Sequence, residues 1–132
     1  MSEKTICVDL NGTLDTYTGW RGADYWYPPR SDAEKFLREL RQRGYEVVVF
    51  TTRDPTAVWE WLRQYGLAQH VSDVTNVKVR AIAYVDDRAI PFRGDYDETL
   101  REIEAFRPYW QKHRAAGMKR SDDAELDSNS LD

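Results

Sequence analysis

A chain of 132 residues with a formal net charge of -4 has room for one domain with one core. Hydrophobic residues at 41% and aromatics at 13% exclude global disorder, and most of the negative charge sits in the last sixteen residues, 117–132, so the near-neutral body offers no electrostatic case for duplex DNA or an anionic membrane. Cys7 alone cannot form an intrachain disulfide, and no signal segment or apolar run of transmembrane length occurs, so the expected setting is soluble, reducing and cytoplasmic.

Thr5–Val8 is β-branched and apolar and predicts a first strand, with Cys7 inside it as a small buried hydrophobe. Asp9 closes this run, and Asn11, Gly12 and Thr13 follow in a turn. One carboxylate therefore stands at the end of a buried strand, beside backbone N–H groups that can hold an anion. Residues 15–29 form a linker dense in rings, with Tyr17, Trp20, Tyr25, Trp26 and Tyr27, closed by Pro28 and Pro29. Ser31 and Glu34 have the spacing of a capping box. The helix they open is expected to bury Ala33, Phe36, Leu37 and Leu40, and to stop at Gly44.

Tyr45–Phe50 predicts a second strand, whose continuous Val47–Phe50 run suits burial on both faces. Thr51, Thr52 and Arg53 follow it. Asp54 and Pro55 have the chemistry of a helix cap and first turn. Ala57, Val58, Trp61 and Leu62 would face inward, and Gly66 would end the helix. A short strand is expected near His70–Val74. Lys78 leads into a strand over Ala81–Val85 that ends in Asp86, Asp87 and Arg88. Asp97–Phe106 predicts a last helix with Leu100, Ile103 and Phe106 inward, broken by Pro108. From Gly117 onward the chain is small, polar and acidic and is expected to be disordered.

Strands alternating with helices predict an α/β fold: a three-layer, doubly wound, mostly parallel sheet, with residues 1–112 as one domain and 113–132 as an acidic tail. In such a sheet the polar strand ends at Asp9, Thr51 and Asp86–Asp87 share one edge, where open α/β folds bind ligands. Clustered carboxylates repel unless a cation joins them, and hard oxygen donors suit Mg²⁺. With the hydroxyl of Thr51 and the ammonium of Lys78 added, the set has the makings of a phosphate site.

These residues, in this order, resemble the haloacid dehalogenase superfamily of phosphohydrolases. Its motifs are an Asp-x-Asp-Gly-Thr turn, a strand-ending Ser or Thr, a Lys before the last core strand and an acidic pair after it. Here these are Asp9–Thr13, Thr51, Lys78 and Asp86–Asp87. The resemblance implies that Asp9 is the nucleophile and becomes phosphorylated. Thr51 and Lys78 would hold phosphoryl oxygens, with Thr52 as the alternative to Thr51. Gly12 and Arg53 are further candidate substrate contacts, Arg53 set against a plain surface or loop charge. Asp9, Asp86, Asp87 and the backbone carbonyl of Asn11 would hold Mg²⁺. The order also excludes a receiver domain, which puts its acidic pair on the first strand and its Lys on the last.

Asn11 departs from the family pattern, which has a second acid there to protonate the leaving group and then activate water. An amide does neither, and loss of such a group costs on the order of 10²–10⁴-fold in rate. Four outcomes stay open: a leaving group that needs no acid, replacement by Asp15, phosphate binding with little turnover, or a change made to silence the site. The helix-only segment between the second and third strands has no room for a cap domain. The aromatic linker would then serve as a flap over an open site, with Trp20 and Trp26 against the leaving group. Expected partners are a small phosphorylated metabolite or nucleotide. Asp86–Asp87–Arg88 also resembles the phosphatase half of polynucleotide kinase–phosphatases, which makes a nucleic-acid 3′ end a further possible substrate. The sequence does not fix an oligomeric state.

Overall fold

A computed structural model describes residues 4–111; the proposed tail, residues 113–132, lies outside the described residues. The elements are β1 (Thr5–Asp9), α1 (Ala33–Gln42), β2 (Glu46–Phe50), α2 (Pro55–Gln64), β3 (Asp73–Thr75), β4 (Ala83–Val85) and α3 (Tyr96–Ala105). All strand pairs are parallel, in the order β3-β2-β1-β4, so the sheet grows to both sides of β1. This is the α/β, doubly wound, capless architecture that the alternating pattern predicts. No helix among the described residues is long and apolar enough to cross a membrane.

Side chains alternate across the sheet, and Ile6, Val8, Val47, Val49 and Val74 share one face. Leu37 of α1 and Val58, Trp61 and Leu62 of α2 pack onto that face to make the core. Cys7 and Val48 lie on the other face and are equally buried, which explains why β1 and β2 read as unbroken apolar runs. Burial also pushes the Cys7 thiol up to about 11, so it is inert as a nucleophile.

The helix starts follow local chemistry in two cases and depart from it in one. Asp54 caps α2 by accepting from the N–H of Ala57 at 3.0 Å, with Pro55 in the first turn. Asp95 caps α3 through the N–H groups of Asp97 and Glu98. The expected capping box at Ser31 and Glu34 does not form: Asp32 occupies the cap position of α1, with no side-chain cap bond. Glu34 instead accepts from Arg38 at 2.6 Å and meets His70 Nε2 at 2.8 Å, two partners that take up its carboxylate. Gly44 stops α1 at φ 90°, a conformation that side chains resist.

Three inward assignments are also corrected. Phe36 is 38% exposed, because the buried stripe of α1 is Ala33 and Leu37, four residues apart, with Leu40 half-buried. In α3, Leu100 is 59% and Ile103 54% exposed, and none of its residues is buried. The pattern made α3 amphipathic, yet among the described residues no other element makes more than slight contact with it. We expect α3 amides to exchange with deuterium before those of α1 and α2, because local opening there uncovers little apolar surface. Slower exchange in α3 than in α2, measured by native-state hydrogen exchange, would contradict this packing.

The β3–β4 connection is only residues 76–82, against the dozen or so residues, usually a helix, that parallel crossovers take. It runs as a strap anchored by Tyr84, whose hydroxyl accepts from the N–H of Val79 at 2.8 Å and donates to the Val79 carbonyl. The expected strand near His70–Val74 is a single tight turn, Ala68–His70, followed by β3 at Asp73–Thr75.

Candidate active site

The C-terminal ends of β1, β2 and β4 meet at a cleft of about 350 Å³, lined by Asp9, Asn11, Tyr17, Trp20, Phe50, Thr51, Thr52, Arg53, Asp86, Asp87 and Arg88. The parallel pairing of β1 with both neighbours puts these ends side by side. One carboxylate oxygen each from Asp9, Asp86 and Asp87 lies within 4.8 Å of the others. Burial, then the charges of Asp86 and Asp87 and a hydrogen bond with Asp87, push the Asp9 carboxyl up to about 9. Burial also pushes Asp86 up, opposed by the Arg88 N–H it accepts at 2.8 Å. The charges acting most strongly on Asp9 are thus other carboxylates, which is what a divalent cation would relieve. Three hard oxygens at this spacing fit Mg²⁺.

The turn after β1 has a demanding shape. Gly12 has φ 88°, and a Cβ there would run into the Asp87 carboxylate and come within 3.1 Å of Trp110 Nε1. Glycine is therefore required on two counts, backbone conformation and space. Asp15, 2% exposed, braces the turn from below. It accepts from Gly12 N at 2.8 Å, from Tyr17 N at 3.0 Å and from Asn11 Nδ2 at 2.7 Å. Burial pushes its carboxyl up, and these donors pull it back. Asp15 does not line the cleft, so its geometry is that of a brace and not of a replacement acid. Thr13 Oγ1 lies 3.4 Å from Asp9 Oδ2.

Thr51 is buried at the end of β2, its N–H on the Thr75 carbonyl at 3.0 Å and its Oγ1 accepting from Arg53 N at 3.0 Å. Thr52 lines the cleft beside it and is more exposed. Lys78, on the strap, is not among the lining residues; its Nζ sits 5.8 Å from the centroid of the Tyr84 ring. The cations that do line the cleft are Arg53 and Arg88.

Residues 15–29 leave and return at one point. Asp15 bridges Pro29, Thr16 N donates to the Pro28 carbonyl and Arg30 N to that of Leu14. Trp61 Nε1 of α2 holds the Tyr27 carbonyl at 3.0 Å. Arg53 ties the loop to β2: it donates to the carbonyls of Tyr25 and Ala23 and lies 3.8 Å from the Trp26 ring centroid. Trp20, 61% exposed, lines the cleft, whereas Trp26 packs against the core.

Two site neighbours escape the sequence reading. Beyond the Pro108 break, Trp110 Nε1 donates to Asp87 Oδ2 at 2.6 Å, and Tyr109 OH donates to the Gly12 carbonyl at 2.8 Å. Arg88 rests over the Trp110 ring at 5.4 Å. The adjoining Pro-Tyr-Trp was the available signal, but nothing local says what those rings touch.

The family model for haloacid dehalogenase-like hydrolase matches residues 23–97, more than half of the chain. That span holds Thr51, Asp86 and Asp87 and begins after the Asp9–Thr13 turn. Among solved structures, the chain is similar to a conserved protein from Bacteroides thetaiotaomicron at 19% identity and a TM-score of 0.53, over 80% of this chain and 93% of that one. It is also similar to an uncharacterized protein from Listeria monocytogenes serotype 4b at 18% identity and a TM-score of 0.48, over 76% of this chain and 61% of that one. The first likeness speaks to the fold alone. No curated protein matches the chain.

Proposed function

Because the chain belongs to the haloacid dehalogenase-like hydrolases, we propose that it is a Mg²⁺-dependent phosphohydrolase of small phosphorylated molecules, acting through a phosphorylated Asp9. The observation that carries this reading is the meeting of Asp9, Asp86 and Asp87 within 4.8 Å in the lining of a cleft whose wall includes Thr51. Asp9, Asp86, Asp87 and the Asn11 main-chain carbonyl would hold the metal, which when bound offsets negative charge on the phosphoryl group and lets Asp9 ionise.

An Asp9 carboxylate oxygen bonds to phosphorus as the bond to the leaving oxygen breaks, and the leaving group departs with the electron pair. Thr51 and Arg88 supply hydrogen bonds and charge to the phosphoryl oxygens. Water then bonds to phosphorus, the bond to Asp9 breaks, and the water proton leaves with phosphate or solvent. Asn11 has no proton to give in the first step or to take in the second, and its amide is committed to Asp15. The favoured substrates therefore have leaving groups that need no acid, such as acyl phosphates. A cleft of this size with Trp20 at its rim suits a metabolite or nucleotide better than a long nucleic acid; a nucleic-acid 3′ end is the larger substrate of the same chemistry.

The test is hydrolysis of acetyl phosphate and p-nitrophenyl phosphate with Mg²⁺ and with a chelator. Metal-dependent turnover, faster on acetyl phosphate, is expected. The committed Asn11 amide also favours a second reading, a phosphate-binding domain with little turnover. Phosphate binding without hydrolysis of either compound would select it.

A further inference from the structure

We infer that Trp110 and Tyr109 are positioning residues of the acidic site, fixing the Asp87 carboxylate and the Gly12 turn respectively; this rests on the metal-dependent reading above. Trp110 is 2% exposed, so its indole N–H has no water to fall back on and is satisfied by Asp87 Oδ2. That bond, at 2.6 Å, is short for an N–H donor. A carboxylate oxygen of Asp87 lies within 4.8 Å of one from Asp9. With one oxygen held by Trp110, the carboxylate cannot rotate freely, and its remaining capacity is turned to the cluster. The Trp110 ring is itself fixed, edge-on to Tyr17 with centroids 5.2 Å apart and with Arg88 over its face. The backbone N–H of the same Arg88 donates to Asp86 Oδ1 at 2.8 Å, so the residue stacked on Trp110 also engages the other acid of the pair.

Tyr109 acts on the opposite side of the same turn. Its hydroxyl donates to the Gly12 carbonyl and accepts from Arg30 Nη1 at 3.1 Å. Asp15 holds the Gly12 N–H, so both polar groups of Gly12 are engaged. The carbonyl of Asn11, one peptide earlier, is thereby held in one orientation. Such outer partners orient carboxylate ligands, and their loss typically weakens metal binding by about 10–100-fold.

The experiment is Mg²⁺ titration by calorimetry of the native chain, Trp110→Phe, Tyr109→Phe, Asp87→Ala and the Trp110→Phe/Asp87→Ala double variant, with melting curves for each. Trp110→Phe keeps a ring and loses the N–H. It is expected to weaken Mg²⁺ binding roughly tenfold and to add nothing in the Asp87→Ala background. Tyr109→Phe, which keeps the ring and loses only the hydroxyl, is expected to weaken binding severalfold with at most a small fall in melting temperature. Native-like Mg²⁺ binding in both variants, or an undiminished Trp110→Phe effect without Asp87, overturns the inference. A native chain that binds Mg²⁺ but hydrolyses nothing sinks the hydrolase reading and leaves this one standing. A native chain that binds no Mg²⁺ sinks both.

Discussion

Asp9→Asn is expected to abolish turnover, by about 10⁴-fold or more, and at the same time to raise the melting temperature of the metal-free protein. The two effects have one cause. Asp9 sits half-buried among carboxylates, and its own carboxyl is pushed up from the ordinary 3.8 to about 9. Between those values the unfolded chain releases the proton and the folded chain keeps it. Metal-free stability therefore falls as pH rises from about 4 towards about 9, and it is greatest below the lower value. Asparagine does not titrate, so the variant loses this slope and gains most near pH 8. Mg²⁺ should reverse the ranking by stabilising the native chain more than the variant. Melting curves at pH 5 and pH 8, with chelator and with Mg²⁺, check all of this. A variant that melts below the native chain at pH 8 in chelator would show that the three carboxylates do not strain the fold.

Asn11→Asp is expected to speed hydrolysis of phosphate esters with poor leaving groups by on the order of 10²–10⁴-fold, with little gain on acetyl phosphate. The new side chain also meets a problem that the amide avoids. Asn11 Nδ2 donates to Asp15 Oδ2 at 2.7 Å, and a carboxylate in its place would face a second, buried carboxylate. Two such groups do not both ionise at that distance, so the pair keeps a proton well above the ordinary range. That proton is the acid that the native site lacks. The same pair makes the variant lose stability as pH rises, and its melting temperature should fall below the native one above about pH 7. Steady-state rates on both substrates and a pH series of melting curves measure the two halves. If no ester gains rate while acetyl phosphate remains a substrate, residue 11 is not what limits turnover.

Much of the fold was legible because its signals are local. Val47–Val49 announce a strand buried on both faces, and Asp54–Pro55 announce a helix start. The convergence of Asp9, Thr51, Asp86 and Asp87 followed from topology, since parallel strands bring like ends to one edge. Legibility ended where a contact depends on a distant partner. An apolar stripe at Leu100 and Ile103 shows that α3 is amphipathic, not that anything covers it. Glu34 has the spacing of a cap partner, but Arg38 and His70 compete for it. Lys78 stands close before Asp86 along the chain, yet the strap that carries it turns it toward Tyr84. Trp110 and Tyr109 follow a helix break, and no periodicity there points back to the first turn.

The bond from Tyr109 to Gly12 joins residues 97 apart. It closes nearly all of the described residues into one loop, a contact of the kind that chains form late because the closure entropy is met only after shorter-range contacts are in place. During synthesis the core of β1, α1, β2 and α2 can assemble while this bond is still impossible. The acidic turn is thus made well before Tyr109, the residue that completes its support. Order of synthesis and order of completion are opposed in this site, so a chain interrupted before residue 109 carries the carboxylates without the groups that aim them.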